Sequence, residues 1–242
     1  MIEKKINNYS LFICKDNIEL NIKISDFIYN LIDKSLKVKD RFQLCLCGGS
    51  TPKSLYKKLS KKELGWDKVD IFLGDERCVD PKSSESNTLM LKNSLLTNYG
   101  SKAFFYEIFS SEDIDDEISK QLLISKLNEK CIGNTPAFDL TLLGLGDDGH
   151  TASLFPYMPN NNEDNYIIFS SGKGLKRISL TPKIFSESKK IIFLVSGKSK
   201  QLALKRLLDK NESSDRTPAK LINSNSEILV FCDQEAANNI SH

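Results

Sequence analysis

Short runs that are apolar almost throughout alternate along this chain with longer stretches whose apolar residues recur every third or fourth position. The first kind predicts strands at 10–14 (SLFIC), 42–47 (FQLCLC), 69–74 (VDIFLG), 103–108 (AFFYEI), 138–144 (FDLTLLG), 166–170 (YIIFS), 177–181 (RISLT), 190–196 (KIIFLVS) and 227–232 (EILVFC). Several lack polar alternation, as strands buried on both faces do. The second kind predicts helices. NIELNIKISDFIYNLIDKSLK places Ile18, Ile22, Ile28 and Leu31/Ile32 along one stripe, and DIDDEISKQLLISKLNEKC does the same with Ile118, Leu122, Leu123 and Leu127. TPKSLYKKL and TPAKLI each put a threonine, Thr51 or Thr217, at a helix N-cap with proline at the first helical position. The β-α-β-α alternation predicts an α/β fold of three layers, a mainly parallel sheet with helices on both faces. No linker or repeat divides the chain, so one domain over 1–242 is expected. The tract MPNNNEDN (158–165) reads as a surface loop near the functional edge.

Charge changes the picture little. The chain of 242 residues carries 34 basic and 32 acidic side chains, a formal net charge of +2, which gives no global pull toward nucleic acid or membrane. Any anion affinity must be local. Six cysteines (14, 45, 47, 78, 131, 232) form no C-x-x-C pair and read as reduced core residues of a cytoplasmic protein. No run approaches the roughly 18 apolar residues of a membrane span. Only two histidines occur, His150 and His242, and neither has metal-ligand spacing around it, so no metal is expected.

In open α/β sheets ligands collect beyond the carboxyl ends of the strands, so the segments that follow the strands hold the candidate chemistry. After FQLCLC, Gly48 and Gly49 permit close backbone approach, Ser50 and Thr51 offer hydroxyls, and the helix that follows presents free N–H groups. That is an anion cradle without P-loop spacing. After VDIFLG come Asp75, Glu76 and Arg77, an acid and a guanidinium suited to orienting a group or clamping an oxyanion, followed by ESN with Asn87. After FDLTLL comes GLGDDGH, a formal G-x-G-x-x-G that begins at Gly144 and includes Gly146. Asp147 and Asp148 would repel a pyrophosphate, which excludes the dinucleotide reading. Beside an imidazole an aspartate instead fixes the tautomer and supports a developing imidazolium, which makes His150 a candidate base. GKGLKRISLT adds Lys173, read as solvated, and Lys176 and Arg177, either of which could complete an anion site.

These segments, LCGGSTP, FLGDERCV with ESN, FDLTLLGLGDDGHTASLFP, RISLT, VSGKSK and TPAKLI with FCDQEAA, occur in an order that resembles the 6-phosphogluconolactonases over nearly the full chain. The resemblance implies the modified Rossmann-like fold shared with the glucosamine-6-phosphate deaminases. It also implies hydrolysis of 6-phospho-D-glucono-1,5-lactone in the oxidative pentose phosphate pathway, without cofactor or metal. The implied partner is a small sugar-phosphate lactone, with no nucleic acid or membrane and with functional coupling to glucose-6-phosphate dehydrogenase. Catalysis would fall to His150 with Asp148, Asp75 and Arg77. Substrate binding would fall to Gly48, Gly49, Ser50, Thr51, Asn87, Gly146 and Lys176 or Arg177.

The related deaminases/isomerases, the alternative reading, use a glutamate five positions after the histidine, where this chain has Phe155. A non-enzymatic sugar-phosphate sensor is a further alternative. No helix-turn-helix or basic appendage supports it. Tyr157 stands where the lactonase pattern often has glycine, a departure that affects the shape of the entrance.

Overall fold

The computed structural model describes residues 1–108, 115–131, 135–158, 166–224 and 227–240. Of the Asn-rich tract, all but Met158 lies outside the described residues. The strands are β1 (Ile2–Ile6), β2 (Tyr9–Cys14), β3 (Phe42–Leu46), β4 (Val69–Leu73), β5 (Asp75–Arg77), β6 (Phe104–Tyr106), β7 (Leu140–Gly144), β8 (Ile167–Gly172), β9 (Leu175–Leu180), β10 (Ile191–Val195) and β11 (Ile228–Asp233). The α-helices are α1 (Asn17–Leu36), α2 (Ser50–Leu59), α3 (Asn87–Lys92), α4 (Asp116–Lys130), α5 (Pro182–Ser186), α6 (Gln201–Leu208) and α7 (Gln234–Ala237).

An eight-stranded sheet runs β1-β2-β11-β10-β7-β3-β4-β6. Every pairing in it is parallel except that of β1 with β2. Every residue of β3, β4 and β10 is buried, so both faces of the sheet are covered, as their unbroken apolar runs require. The α/β reading with a mainly parallel sheet therefore holds.

Three expectations are corrected. The runs at 166–170 and 177–181 do not join the main sheet. As β8 and β9 they form a separate antiparallel sheet, β5-β9-β8, with Asp75–Arg77 as its third strand. A short apolar run does not encode its partner, and here Lys173 and Gly174, both at positive φ, close a two-residue hairpin that makes the pairing local.

The stripe on α1 is Leu20, Ile24, Ile28 and Ile32, while Ile18 and Ile22 face solvent. Positions 18 and 20 lie about 200° apart on a helix, so both stripes satisfy the period and docking on the sheet selects one. On α4, likewise, Ser119, Leu123 and Leu127 are buried and Ile118 and Leu122 are exposed.

Neither threonine caps through its side chain. α2 begins one residue before Thr51, at Ser50, with Gly49 as N-cap, and Thr217 precedes only a 3-10 turn at Pro218–Leu221.

The strand order locates the ligand crevice. From β3 the chain moves outward to β4 and β6, then returns to the other side of β3 as β7 and proceeds to β10 and β11. This reversal separates the connections at the carboxyl ends of β3 and β7, and a crevice opens there.

Candidate active site

Four neighbouring strands, β10, β7, β3 and β4, deliver their carboxyl-terminal loops to this crevice, and the small sheet closes its side. The resulting cleft of ≈ 260 Å³ is lined by residues 47–52 after β3, Asp75 and Arg77 of β5, Asn87 of α3, and Gly144, Leu145, Gly146 and His150 after β7. Lys173 and Arg177 of the hairpin and Ser196 and Lys200 after β10 complete the wall.

The turn after β7 is built around His150. Its Nδ1 lies 2.5 Å from Asp148 Oδ1, and its backbone N–H donates to the same oxygen at 3.0 Å. A carboxylate on Nδ1 holds the proton there and leaves Nε2 as the nitrogen available to the cleft, with its lone pair. Burial holds the imidazole pKa below its ordinary value, outweighing the opposite pull of Asp148. Burial raises the Asp148 carboxyl, but its hydrogen bonds from His150 prevail and it lies below the usual range. The pair is thus a neutral imidazole beside a carboxylate.

The glycines make this geometry possible. A Cβ on Gly146 would lie 2.0 Å from His150 Nδ1 and 2.7 Å from Asp148 Oδ1. Gly149 adopts φ +96° against Thr217. Its carbonyl accepts the Ala219 N–H at 3.1 Å, and the Thr217 hydroxyl donates to buried Glu212 at 2.9 Å. The distant TPAK segment therefore braces the turn that carries the histidine.

Asp75 does not touch His150. Its Oδ2 accepts the Ser153 hydroxyl at 2.6 Å and faces the Arg177 guanidinium at 3.8 Å. Glu76, buried, accepts backbone N–H groups of Arg77, Asn87 and Thr88 at 2.7–2.8 Å and so ties the start of α3 to β5. Desolvation raises its pKa against those bonds. Asn87 is held in turn by Nδ2 donating to the Asp75 carbonyl at 2.9 Å. Its Oδ1 is buried without a partner among the described residues. The Asn87 amide occupies the space where a Cβ on Gly48 would stand, 1.9 Å from Oδ1.

The cationic wall is an arginine pair. Arg77 and Arg177 are directly opposite in the β5–β9 register. Burial and the neighbouring Arg77 charge both lower the Arg177 pKa. Arg77 Nε is buried and unpartnered among the described residues. Two facing guanidinium groups repel unless an anion joins them, so this wall is suited to one.

The structure thus gathers His150, Asp148, Asp75, Arg77, Gly48, Gly49, Ser50, Thr51, Asn87, Gly146 and Arg177. Lys176 is excluded. Adjacent strand residues point to opposite faces, and Lys176 turns outward to Asp116 at 2.6 Å while Arg177 turns in. Lys173 is exposed, as read, and it also lines the cleft from the hairpin tip, 3.6 Å from Asp147. Lys200 was missed. It stands in the cleft wall, its pKa lowered by burial, on a loop that Asp233 secures by accepting the Gly197 N–H at 3.0 Å and the Ser196 hydroxyl at 2.5 Å. Reading the segment after KIIFLVS as a strand exit, like the other three, would have found it.

Comparison with known proteins shows the family and the fold. The chain is 34% identical over 213 residues to a 6-phosphogluconolactonase of Synechocystis sp., covering 86% of this chain and 89% of the relative. A Nostoc sp. 6-phosphogluconolactonase is 33% identical over 231 residues, covering 93% and 96%. The crystal structure of the Thermotoga maritima 6-phosphogluconolactonase superposes with a TM-score of 0.80 at 26% identity, over 93% of this chain and 99% of that one. The family model described as glucosamine-6-phosphate isomerases/6-phosphogluconolactonase matches residues 15–231, a span that holds the whole cleft, and the chain belongs to that family.

Proposed function

We propose that the chain hydrolyses 6-phospho-D-glucono-1,5-lactone to 6-phospho-D-gluconate by direct attack of water. The observation that carries this reading is a neutral imidazole, held by Asp148 at Nδ1, in one cleft with the facing pair Arg77 and Arg177. The cleft offers both a base and an anion wall.

The phosphate docks between the mouth of α2, with Gly49, Ser50 and Thr51, and the cations Arg77 and Arg177, supported by Lys200. Binding energy from this remote group places the lactone carbonyl before His150. His150 Nε2 takes a proton from water as its oxygen bonds to C1. Asp148 stabilises the imidazolium, and Nε2–H then protonates the ring oxygen as the C1–O bond breaks. The new carboxyl group ionises on release. The deaminase/isomerase reaction, with its proton transfer between carbons, would need a further carboxylate at position 155, and an aromatic ring stands there beside His150.

The lactone is an oxidised, cyclic sugar phosphate, so the supplying reaction oxidises a hexose 6-phosphate at C1, which gives functional coupling to glucose-6-phosphate dehydrogenase. The six cysteines are buried and form no disulfide among the described residues, which supports the reducing cytoplasm as its compartment. No helix among the described residues is long and apolar enough to cross a membrane.

The test compares two assays on the purified chain: lactone hydrolysis above the spontaneous rate, and ammonia release from glucosamine 6-phosphate. Hydrolysis without ammonia is expected. Ammonia release, or binding of sugar phosphate without either reaction, would overturn the reading.

A further inference from the structure

Phe155 packs against both the candidate base and one arginine of the cationic wall. Its ring centroid lies 4.9 Å from that of His150, at an interplanar angle of 36°. The Arg177 guanidinium carbon stands 5.4 Å from the same centroid. The chain makes room for this ring: a Cβ on Gly172, in β8, would fall 2.2 Å from two Phe155 ring carbons. The Phe155 N–H faces Met158 Sδ at 3.2 Å, which further fixes the residue. An aromatic ring so placed has two physical effects. It removes water from one side of the imidazole, which penalises the imidazolium, and its π-face holds a guanidinium in place.

We propose that Phe155 is a positioning residue that sets His150 as the base and Arg177 as the anion clamp at once, and that Gly172 is the small residue which lets it do so. The catalytic part of this proposal rests on the lactonase reading, whereas the effect on His150 does not. The charged groups around His150 are Asp148 on its own turn, Asp75 on β5, and Lys173 at the β8–β9 hairpin, with Arg177 beyond the ring. Asp148 and Asp75 favour the protonated imidazole and Lys173 opposes it, so charge alone does not favour the neutral form. Burial does, and the Phe155 ring is the aromatic group packed against the imidazole.

The experiment uses Phe155→Ala, Phe155→Leu and Gly172→Ala in the full chain. Proton NMR follows the imidazole C–H titration, which is simple here because only His150 and the terminal His242 contribute. Phe155→Ala should move the His150 midpoint upward, toward the ordinary imidazole value. Phe155→Leu, which keeps apolar cover but loses the π-face, should leave the midpoint near wild type. In lactone hydrolysis, Phe155→Ala should lower kcat about tenfold and raise KM, and Phe155→Leu should chiefly raise KM. Gly172→Ala, which displaces the ring, should resemble Phe155→Ala in direction.

A wild-type chain without hydrolysis would overturn the lactonase reading and leave the NMR result to decide the role of Phe155. An unmoved His150 midpoint in folded Phe155→Ala, judged by unchanged circular dichroism, overturns the present proposal whatever the assay shows. Should Phe155→Ala fail to fold, a Phe155→Leu enzyme with wild-type KM overturns it equally.

Discussion

Arg77 and Arg177 stand directly opposite one another on neighbouring antiparallel strands, both lining the cleft. Like charges in that register destabilise a sheet, and the sheet keeps them because each has limited alternatives. Arg77 Nη1 is tethered to the Glu85 carbonyl, Arg177 Nε donates to the Gly172 carbonyl at 3.2 Å, and Asp75 offers only a 3.8 Å contact. Glu85 Oε2 adds a contact at 4.0 Å to Arg77, so among the described residues neither guanidinium has a carboxylate closer than 3.8 Å, and the buried, unpartnered Arg77 Nε leaves a donor for a bound anion.

Removal of this clamp should therefore appear in binding. Arg177→Ala should raise KM on the order of 10- to 100-fold with a smaller change in kcat, the loss of about 1.5–3 kcal/mol from charge-assisted hydrogen bonds. Lys176→Ala, one residue away but facing Asp116, should leave both constants within about twofold. Steady-state kinetics with the phosphorylated lactone separates the two, and equal effects would remove the strand-face argument.

Loss of the base should appear in turnover. His150→Ala should lower kcat on the order of 10²–10⁴-fold with little change in KM once spontaneous hydrolysis is subtracted. Asp148→Asn preserves shape but withdraws the charge that supports the imidazolium, and should cost at least about tenfold in kcat. A His150→Ala enzyme near wild-type kcat would falsify the base assignment.

The pH dependence has a defined sign. Nε2 accepts a proton only in the neutral ring, so kcat should fall as pH drops through the His150 pKa. Burial puts that pKa below the ordinary 6.5, and the acidic limb should lie below that value. The same shift bears on stability. The unfolded histidine takes up a proton more readily than the folded one, so stability should begin to fall as pH decreases below about 6.5 and should gain nothing from this group above it. Since the substrate phosphate titrates near pH 6 and kcat reports the enzyme–substrate complex, kcat at saturation is compared with the NMR midpoint of His150 in the presence of 6-phosphogluconate.

Gly146 should be intolerant of even one methyl group. In Gly146→Ala the new Cβ meets the His150 ring at 2.0 Å, so the ring or the turn must move. A displacement of about 1 Å at a reacting group costs on the order of 10²-fold in rate, and kcat should fall by that order. An alanine variant with wild-type kcat would show that the imidazole has freedom the packing denies it.

Glu76 should matter for stability before chemistry. Its buried carboxylate satisfies three backbone N–H groups, and glutamine in its place leaves at least one of them facing a donor. Glu76→Gln should destabilise by about 1–3 kcal/mol, a fall in Tm of about 2–4 °C for each kcal/mol in a chain of this size. Calorimetry at neutral pH measures it, and an unchanged Tm would mean that the start of α3 is held by Ser86 alone.

Much of the cleft was readable because strand exits in a parallel sheet share one edge. That rule picked out GGSTP, DER and DDGH, whose residues sit together around the cleft. The same rule, left unapplied to the strand at 190–196, cost Lys200. The interior face of α1 was not readable, because Ile18/Ile22 and Leu20/Ile24 fit the helical period equally and only contact with the sheet chooses between them. Nor was the bracing of Gly149 by Thr217 and Glu212, whose separation along the chain gives no local signal.

What the amino-acid order determined alone is local: buried strands from unbroken apolar runs, turns from glycine, and an aspartate two residues from a histidine, close enough to meet within one turn. Only the tertiary structure decided that Arg177 and not Lys176 faces the cleft, that the Asp75 side chain hydrogen-bonds Ser153 and reaches His150 only through its charge, and that Phe155 packs against both the base and an arginine. Each of these depends on which strand pairs with which and on the face a side chain presents. Those pairings join segments far apart in the chain, and residue type alone carries no record of them.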